Sequence, residues 1–225
     1  MSVTFIVTSI LIKDKGKRIK VKGYIKSVLY ALFHYYAEKF YFWLFNNKTQ
    51  RDKTGMSYLF QDWQSNRKNF KGQLVLFMFR LASLINRSMI AKVIFILYLL
   101  FYRYLVEWIW GIEIPRKTKI GKGLSLFHGQ ALVINQGVVI GDNCTLRNST
   151  TIGHKKLADG TFSRCPRIGN NVDIGANVVI IGDIEIGDNV VIGAGAVVTK
   201  SIPANSVAVG NPARILDKKE TAANA

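Results

Sequence analysis

Apolar residues recur at every sixth position from Ile168, through Ile174, Ile180, Ile186, Ile192 and Val198. A companion row two residues earlier runs through Val172, Val178, Ile184, Val190 and Ala196, and Gly169, Gly175, Gly187 and Gly193 follow the main row. The same step appears upstream in Ile134, Ile140, Leu146 and Ile152, with Leu132, Val138, Cys144 and Thr150 as companions, and it begins with Ile114, Ile120 and Leu126. A period of six fits neither the ~3.6-residue turn of a helix nor the simple alternation of a long strand. It describes short strands separated by corners and stacked coil upon coil in a parallel β-helix. The periodic residues fill the interior and the glycines let the backbone turn. Two interruptions stand out. From Leu126 to Ile134 is eight residues instead of six, an insertion around His128; from Ile152 to Ile168 is sixteen, so a loop leaves the coil between about His154 and Pro166. Excursions from a rigid scaffold are where binding and catalysis concentrate.

The repeat occupies only the second half of the chain. Residues 111–225 hold 15 of the 19 glycines and have 13 basic against 9 acidic residues, net +4, whereas residues 1–110 have 18 against 5, net +13. A domain boundary near Gly111 follows. With 225 residues, 49% of them hydrophobic, the chain can bury a real core, which excludes a disordered tail. The overall +17 would by itself point to nucleic acid or an anionic membrane. The basic residues cluster outside any recognised nucleic-acid module, so nucleic acid is not the expected partner. Two cysteines, Cys144 and Cys165, are too few for a disulfide framework and indicate a reducing compartment.

Residues 1–55 form a basic, aromatic-rich extension carrying 11 basic and 3 acidic residues, either a membrane-docking segment or an addition upstream of a start at Met56. Its β-branched run, Val3 to Ile12, suits a strand, and Tyr24 to Phe45 suits an aromatic helix. Positive charge follows the first apolar run, the reverse of a secretory signal. Lys26, His34, Glu38 and Lys39 break the aromatic segment short of the ~18–20 apolar residues that a membrane span needs. Residues 56–112 read as a helical region, with helices from about Gly72 to Asn86 and from about Ser88 to Trp110. In the second, Val93 to Tyr102 is an unbroken apolar run, and Lys92, Arg103 and Glu107 share one narrow stripe. Such a helix either packs against the rest of the protein or lies in a membrane interface.

Three segments, IEIPRKTKIGKGLSLFHG (112 to 129), IGANVVIIGDIEIGDNVVIGAGAVVTKSIP (174 to 203) and VGNPARIL (209 to 216), resemble the hexapeptide-repeat acyltransferases. Within them the chain looks most like the serine acetyltransferase branch, and especially its exopolysaccharide members such as the colanic acid biosynthesis acetyltransferases. The likeness extends upstream to about Met56 through QDWQSNRKNF and FRLASLI. It implies a mainly β fold: a left-handed parallel β-helix over residues 113–216, preceded by an α-helical region and followed by a tail at 217–225. It also implies a homotrimer, with acetyl-CoA as acyl donor in the seam between subunits and no metal.

The branch pairs a catalytic His with an acidic residue fifteen positions earlier, and here Glu113 stands fifteen before His128. A hydroxyl is a poor nucleophile at neutral pH, so acetyl transfer needs a base, and an imidazole steadied by a carboxylate supplies one. His154, at the start of the loop, is the rival base or a substrate contact. Serine-specific relatives place an Asp immediately before the catalytic His to read the substrate amine, where this chain has Phe127. Their loop ends in Arg-His-Pro, where this one has Arg164, Cys165 and Pro166. Loss of that carboxylate disfavours free serine, and an aromatic ring suits a sugar face. Arg164 either meets a carboxylate on an acidic sugar or orders the loop. For the donor, the resemblance carries over Ala176 and Ala194 as the small-residue edge beside the pantetheine arm. Thr199, Lys200 and Arg214 match positions near the CoA phosphates and adenine.

The expected activity is therefore O-acetylation of a bacterial surface polysaccharide, the acceptor being a saccharide or lipid-linked oligosaccharide at the cytoplasmic face of the membrane. Cysteine-pathway serine acetyltransferase and a noncatalytic scaffold are the alternatives. A zinc-binding β-helix needs three His ligands, and of His34, His128 and His154 the first lies outside the repeat.

Overall fold

The computed structural model describes residues 55–216; the expected strand at Val3 to Ile12, the aromatic helix at Tyr24 to Phe45 and the C-terminal tail lie outside the described residues. Four α-helices come first, α1 (Gly55–Leu59), α2 (Phe70–Ile85), α3 (Met89–Ile94) and α4 (Ile96–Tyr102), followed by a π-helical stretch at Arg103–Ile109. Short strands then wind into a three-faced solenoid. The first face stacks Ile112–Glu113, Leu132–Ile134, Thr151–Gly153, Val179–Ile181 and Val197–Val198. Lys119–Ile120, Val139–Ile140, Arg167–Ile168 and Glu185–Ile186 make the second. The third stacks Ser125–Phe127, Thr145–Arg147, Asp173–Ile174, Val191–Ile192 and Val207–Val209, and the antiparallel strand Arg214–Ile215 ends it.

The register reproduces the repeat. Val179 pairs with Val197, eighteen positions on; Ile112 pairs with Leu132, twenty on; and Thr151 pairs with Val179, twenty-eight on. The longer steps are the insertion at His128 and the loop after His154. Both six-step rows point inward: Ile168, Ile174, Ile180, Ile186, Ile192 and Val198 are buried, as are Val172, Val178, Val190 and Ala196. Cys144 and Thr150 complete that interior.

The periodic glycines have a different role from the one expected. Among the described residues the left-handed corners are taken chiefly by asparagine, with Asn143, Asn171, Asn177, Asn189 and Asn205 all at φ between 55 and 58. Asn tolerates this region because its short amide bonds locally, and Asn171 donates to Asn189, which donates to Asn205, in a ladder of 3.1 and 2.9 Å. The glycines after the apolar row are required by coil spacing. A Cβ on Gly175 would stand 2.5 Å from Ala194 N, and one on Gly141 2.5 Å from the Gly169 carbonyl oxygen.

A solenoid has an open lower edge, and the helical region closes it. On the third face, Asp62 Oδ1 accepts from Leu124 N–H at 2.9 Å, and Asn66 Nδ2 donates to the Leu124 carbonyl at 2.7 Å. Asn66 Oδ1 then accepts from Leu126 N–H at 2.9 Å, and Asn69 Nδ2 donates to the Leu126 carbonyl at 2.5 Å. Three side chains thus replace the missing strand, satisfying backbone groups that would otherwise template aggregation. Asn69 also caps α2 by accepting from Gly72 N–H. Under the second face, Arg80 donates to the carbonyls of Ile120 and Gly121 at 2.8 and 2.5 Å. It is clamped by Asp62 through Nε at 2.7 Å, with both side chains almost fully buried. Beneath the first face, the Tyr102 hydroxyl donates to the Ile114 carbonyl at 2.7 Å.

The helix expected from Ser88 to Trp110 is segmented. Phe95 leaves helical geometry at φ −100, ψ 25, and the chain shifts to π-helix from Arg103. The breaks turn Tyr98 to the Met78 carbonyl and Tyr102 to Ile114, contacts that one straight helix is not free to choose. Ala91, Leu99, Tyr102 and Val106 form the buried inner side.

Candidate active site

His128 projects from the edge between the third and first faces. The two-residue insertion makes this corner unlike the others: Gly129 N–H donates back to the Phe127 carbonyl at 2.7 Å, closing a three-residue turn with His128 at its centre and φ 62. A γ-turn with positive φ is the strained form, costing a side-chain-bearing residue about 1–3 kcal/mol. The turn thrusts the imidazole into solvent, and among the described residues no side chain hydrogen-bonds to it. Ser149 N–H donates to the Gln130 carbonyl, Asn177 N–H to Asn148 and Gly195 N–H to Ala176, at 2.8, 3.1 and 2.8 Å. These bonds stack the corners, so His128, Ala176 and Ala194 lie along one edge.

Glu113 lies next to this turn, on the first strand of the first face, where Ile112 and Ile114 point inward and the carboxylate points out. The turn rests on Ile112, since a Cβ on Gly129 would stand 3.1 Å from its Cδ1. No hydrogen bond or ion pair joins Glu113 to His128 within the protomer. The expected contact is therefore not formed: Glu113 is fixed to the sheet face by its ladder and His128 to the edge by its turn. Glu113 is instead close enough to Glu107 to help raise that carboxyl, after burial as the main cause.

Beside His128, the Phe127 ring is 45% exposed, and the Arg147 guanidinium lies 5.7 Å from its centroid. Arg147 is the site residue that the sequence reading missed. It pairs in register with Phe127 one coil below, is ion-paired with Asp173, and donates to the Ile174 carbonyl at 3.0 Å. Its signal was its place immediately after interior Leu146, which sends it outward one coil above Phe127.

His154 belongs to a second cluster, on the edge between the first and second faces. A cavity of about 400 Å³ there is lined by His154, Phe162, Arg164, Cys165, Arg167 and Asp183, among others. The Phe162 ring meets His154 edge-on at 4.4 Å. Asn135 organises this pocket: its Oδ1 accepts from Gly137 N–H at 3.2 Å and from the Cys165 thiol at 3.4 Å, which leaves Nδ2 facing His154 Nδ1 at 2.7 Å. With the amide so oriented, Nδ1 accepts and Nε2 carries the proton. This tautomer makes His154 Nε2 a donor towards the pocket. Burial is the main cause pushing the Cys165 thiol up. Alkylation of Cys165 by iodoacetamide is accordingly expected to be slow at neutral pH and to accelerate as pH rises past the usual thiol range, read by mass spectrometry of the modified peptide. Rapid labelling at neutral pH would contradict this, because only the thiolate reacts.

Thr199 and Lys200 sit on the same edge as His154, and Arg214 lies in the last strand of the third face; all three are exposed. One protomer therefore divides the expected residues between two edges.

A three-faced β-solenoid with an exposed histidine on one edge and a loop pocket on another defines a hexapeptide-repeat transferase, and residues 165–200 match the family model described as bacterial transferase hexapeptide (six repeats). The chain belongs to the hexapeptide-repeat acetyltransferases. It is 48% identical over 117 residues to the putative colanic acid biosynthesis acetyltransferase WcaB of Escherichia coli K12, covering 52% of this chain and 70% of that one. Soybean serine acetyltransferase, solved as the apoenzyme, superposes with a TM-score of 0.62 at 31% identity over 73% of this chain and 70% of that one. The Brucella abortus serine acetyltransferase complex with coenzyme A gives 0.59 at 28% identity, over 72% and 67%.

Proposed function

We propose that this acetyltransferase moves acetyl from acetyl-CoA to a sugar hydroxyl of a bacterial surface polysaccharide, with His128 as general base. The observation that carries the reading is the surround of His128. Its neighbours on the third face are Phe127 and Arg147, and the carboxylate on that face, Asp173, is committed to Arg147. That face offers an aromatic ring for a sugar and no unpaired acid for an ammonium group, while Glu113 on the adjoining face is assigned to the imidazole.

In the direct mechanism, His128 takes the acceptor proton as the hydroxyl oxygen attacks the thioester carbonyl. The tetrahedral intermediate then collapses, its C–S bond breaks, the CoA sulfur leaves as the thiol with the proton returned by the His128 imidazolium, and the acetyl ester leaves on the sugar. Glu113 supports the imidazolium electrostatically from the adjoining face and takes up closer contact once substrate is bound, since catalytic hydrogen bonds often tighten only in the complex. Ala176 and Ala194 leave room for the pantetheine arm along the His128 edge. A homotrimer resolves the divided site. It sets one protomer's His128 edge against its neighbour's His154 edge, so that Arg164 and His154 address the acceptor and Thr199, Lys200 and Arg214 address CoA phosphates. The acceptor is a saccharide or lipid-linked oligosaccharide on the inner face of the cytoplasmic membrane.

Serine O-acetylation is the second reading, favoured by the solved neighbours, which include soybean and Brucella serine acetyltransferases. Thiol release from acetyl-CoA separates the two. Extracted glycan repeat units are expected to drive saturable release and to gain acetyl groups by mass spectrometry, with free serine giving none. Saturable turnover of serine with inert glycan would reverse the assignment.

A further inference from the structure

The helical segment below the solenoid is amphipathic in the wrong sense for a protein in water. Its inner side is buried, yet its outer side is apolar as well: Val93 is 74%, Leu97 78% and Trp108 70% exposed, and Met89, Ile90, Ile96, Leu100, Phe101, Tyr104 and Ile109 are exposed with them. Ile90, Val93, Leu97, Phe101, Tyr104 and Trp108, three or four residues apart, are all exposed, so α3, α4 and the π-helical stretch each turn an apolar side outward. Monomeric proteins seldom expose an apolar surface of this extent without using it. No described helix is long and apolar enough to cross a membrane.

We propose that this stripe is an interfacial membrane anchor that seats the protein on an anionic phospholipid surface. Charge decides the occupant. Along residues 87–109 the exposed ions are Arg87 and Arg103, and the one acid, Glu107, is half-buried and ion-paired with Arg103 at 3.4 Å. Burial pushes the Glu107 carboxyl upward, easing its neutralisation near lipid. Residues 56–110 as a whole have 7 basic and 2 acidic residues, net +5. A second copy docking on the same stripe would bring like charges together. Anionic headgroups instead complement the cations while the acyl boundary receives Leu97 and Phe101. Tyr104 and Trp108, apolar rings with a polar atom, suit the headgroup level.

Vesicle flotation of the full chain tests the anchor without any acceptor, so its outcome is independent of the acetylation reading. Wild type is expected to float with phosphatidylglycerol and phosphatidylethanolamine vesicles, less with pure phosphatidylcholine, and less as salt rises. The double variant Leu97→Glu, Phe101→Glu is expected to lose at least about tenfold in partitioning, since each substitution replaces buried methylenes by a charge. Val191→Glu, an exposed position on the third face, serves as the control and should float like wild type. Acetyl-CoA turnover by the double variant confirms that it is folded; should it be inactive, its circular dichroism spectrum and the milder pair Leu97→Ser, Phe101→Ser decide. The proposal is overturned if wild type stays with the unbound fraction, or if folded double variant floats as wild type does. It is also overturned if light scattering shows that the substitutions dissociate an assembly of this chain while leaving flotation unchanged, which would make the stripe a protein interface.

Discussion

Replacing His128 by Ala or Asn is expected to lower kcat by about 10²- to 10⁴-fold, the range for loss of a general base, equal to about 3 to 5 kcal/mol of barrier at ~1.4 kcal/mol per decade. The KM for acetyl-CoA should change little, because the imidazole acts on the acceptor proton while the donor is held by the small-residue edge and distant cations. The backbone adds a second, more discriminating expectation. His128 occupies φ 62 at the centre of a tight turn, a conformation that glycine adopts without penalty. His128→Gly therefore relieves strain in the folded state while adding freedom to the unfolded one, and the two effects of about 1 kcal/mol each nearly cancel. It should melt close to wild type and be as inactive as His128→Ala. His154→Ala, by contrast, removes a donor in the loop pocket and should cost about tenfold or less. Steady-state kinetics with acetyl-CoA and glycan acceptor, run beside thermal melts, check all four variants. Full activity in His128→Ala, or a larger loss in His154→Ala, would transfer the base to the other edge.

Arg80→Met should be the most destabilising single change in the helical cap. It strands the Asp62 carboxylate in a buried site and leaves the carbonyls of Ile120 and Gly121 without their donor. Breaking one partner of a buried pair typically costs about 3–5 kcal/mol, which for a domain of this size lowers the melting temperature by about 6 °C or more. Asp62→Ala should cost a similar amount, since it also removes the acceptor for Leu124 N–H. Asn66→Ala, which unpairs one N–H and two carbonyls, follows at about 2–3 kcal/mol. Because Arg80 and Asp62 share one network, the double variant should be less destabilised than the two singles summed, with a coupling of about 0.5–3 kcal/mol. Urea or thermal unfolding followed by circular dichroism gives these values. A loss under about 0.5 kcal/mol for Arg80→Met would mean that the solenoid does not depend on its cap.

The cap explains how the segment ahead of the first repeat is tied into the solenoid. QDWQSNRKNF has no hydrophobic period to announce it, yet Asp62, Asn66 and Asn69 are spaced to meet Leu124 and Leu126 about sixty residues away. Such a long-range match of side chains to a strand edge leaves no local trace. The segmentation of the second helix was equally hidden: Phe95 and the π-helical stretch answer to where Tyr98 and Tyr102 find carbonyls, and those are set by packing.

What the sequence determined by itself was the solenoid. A six-residue period of β-branched residues admits one way of burying them, so the interior rows, the two excursions and the coil lengths were all legible before any coordinates. The tertiary structure alone decided how the site is distributed. Residues stepping regularly along the chain are wound onto three edges in turn, and the insertion at His128 and the loop after His154 enlarge a corner without changing that order. His128, Ala176 and Ala194 consequently share one edge, His154, Arg164, Thr199 and Lys200 another, and Arg147 arrives beside Phe127 through register. Glu113 and His128, matched at fifteen positions, stay uncontacted because separation along the chain does not fix the direction in which a strand and a corner turn their side chains.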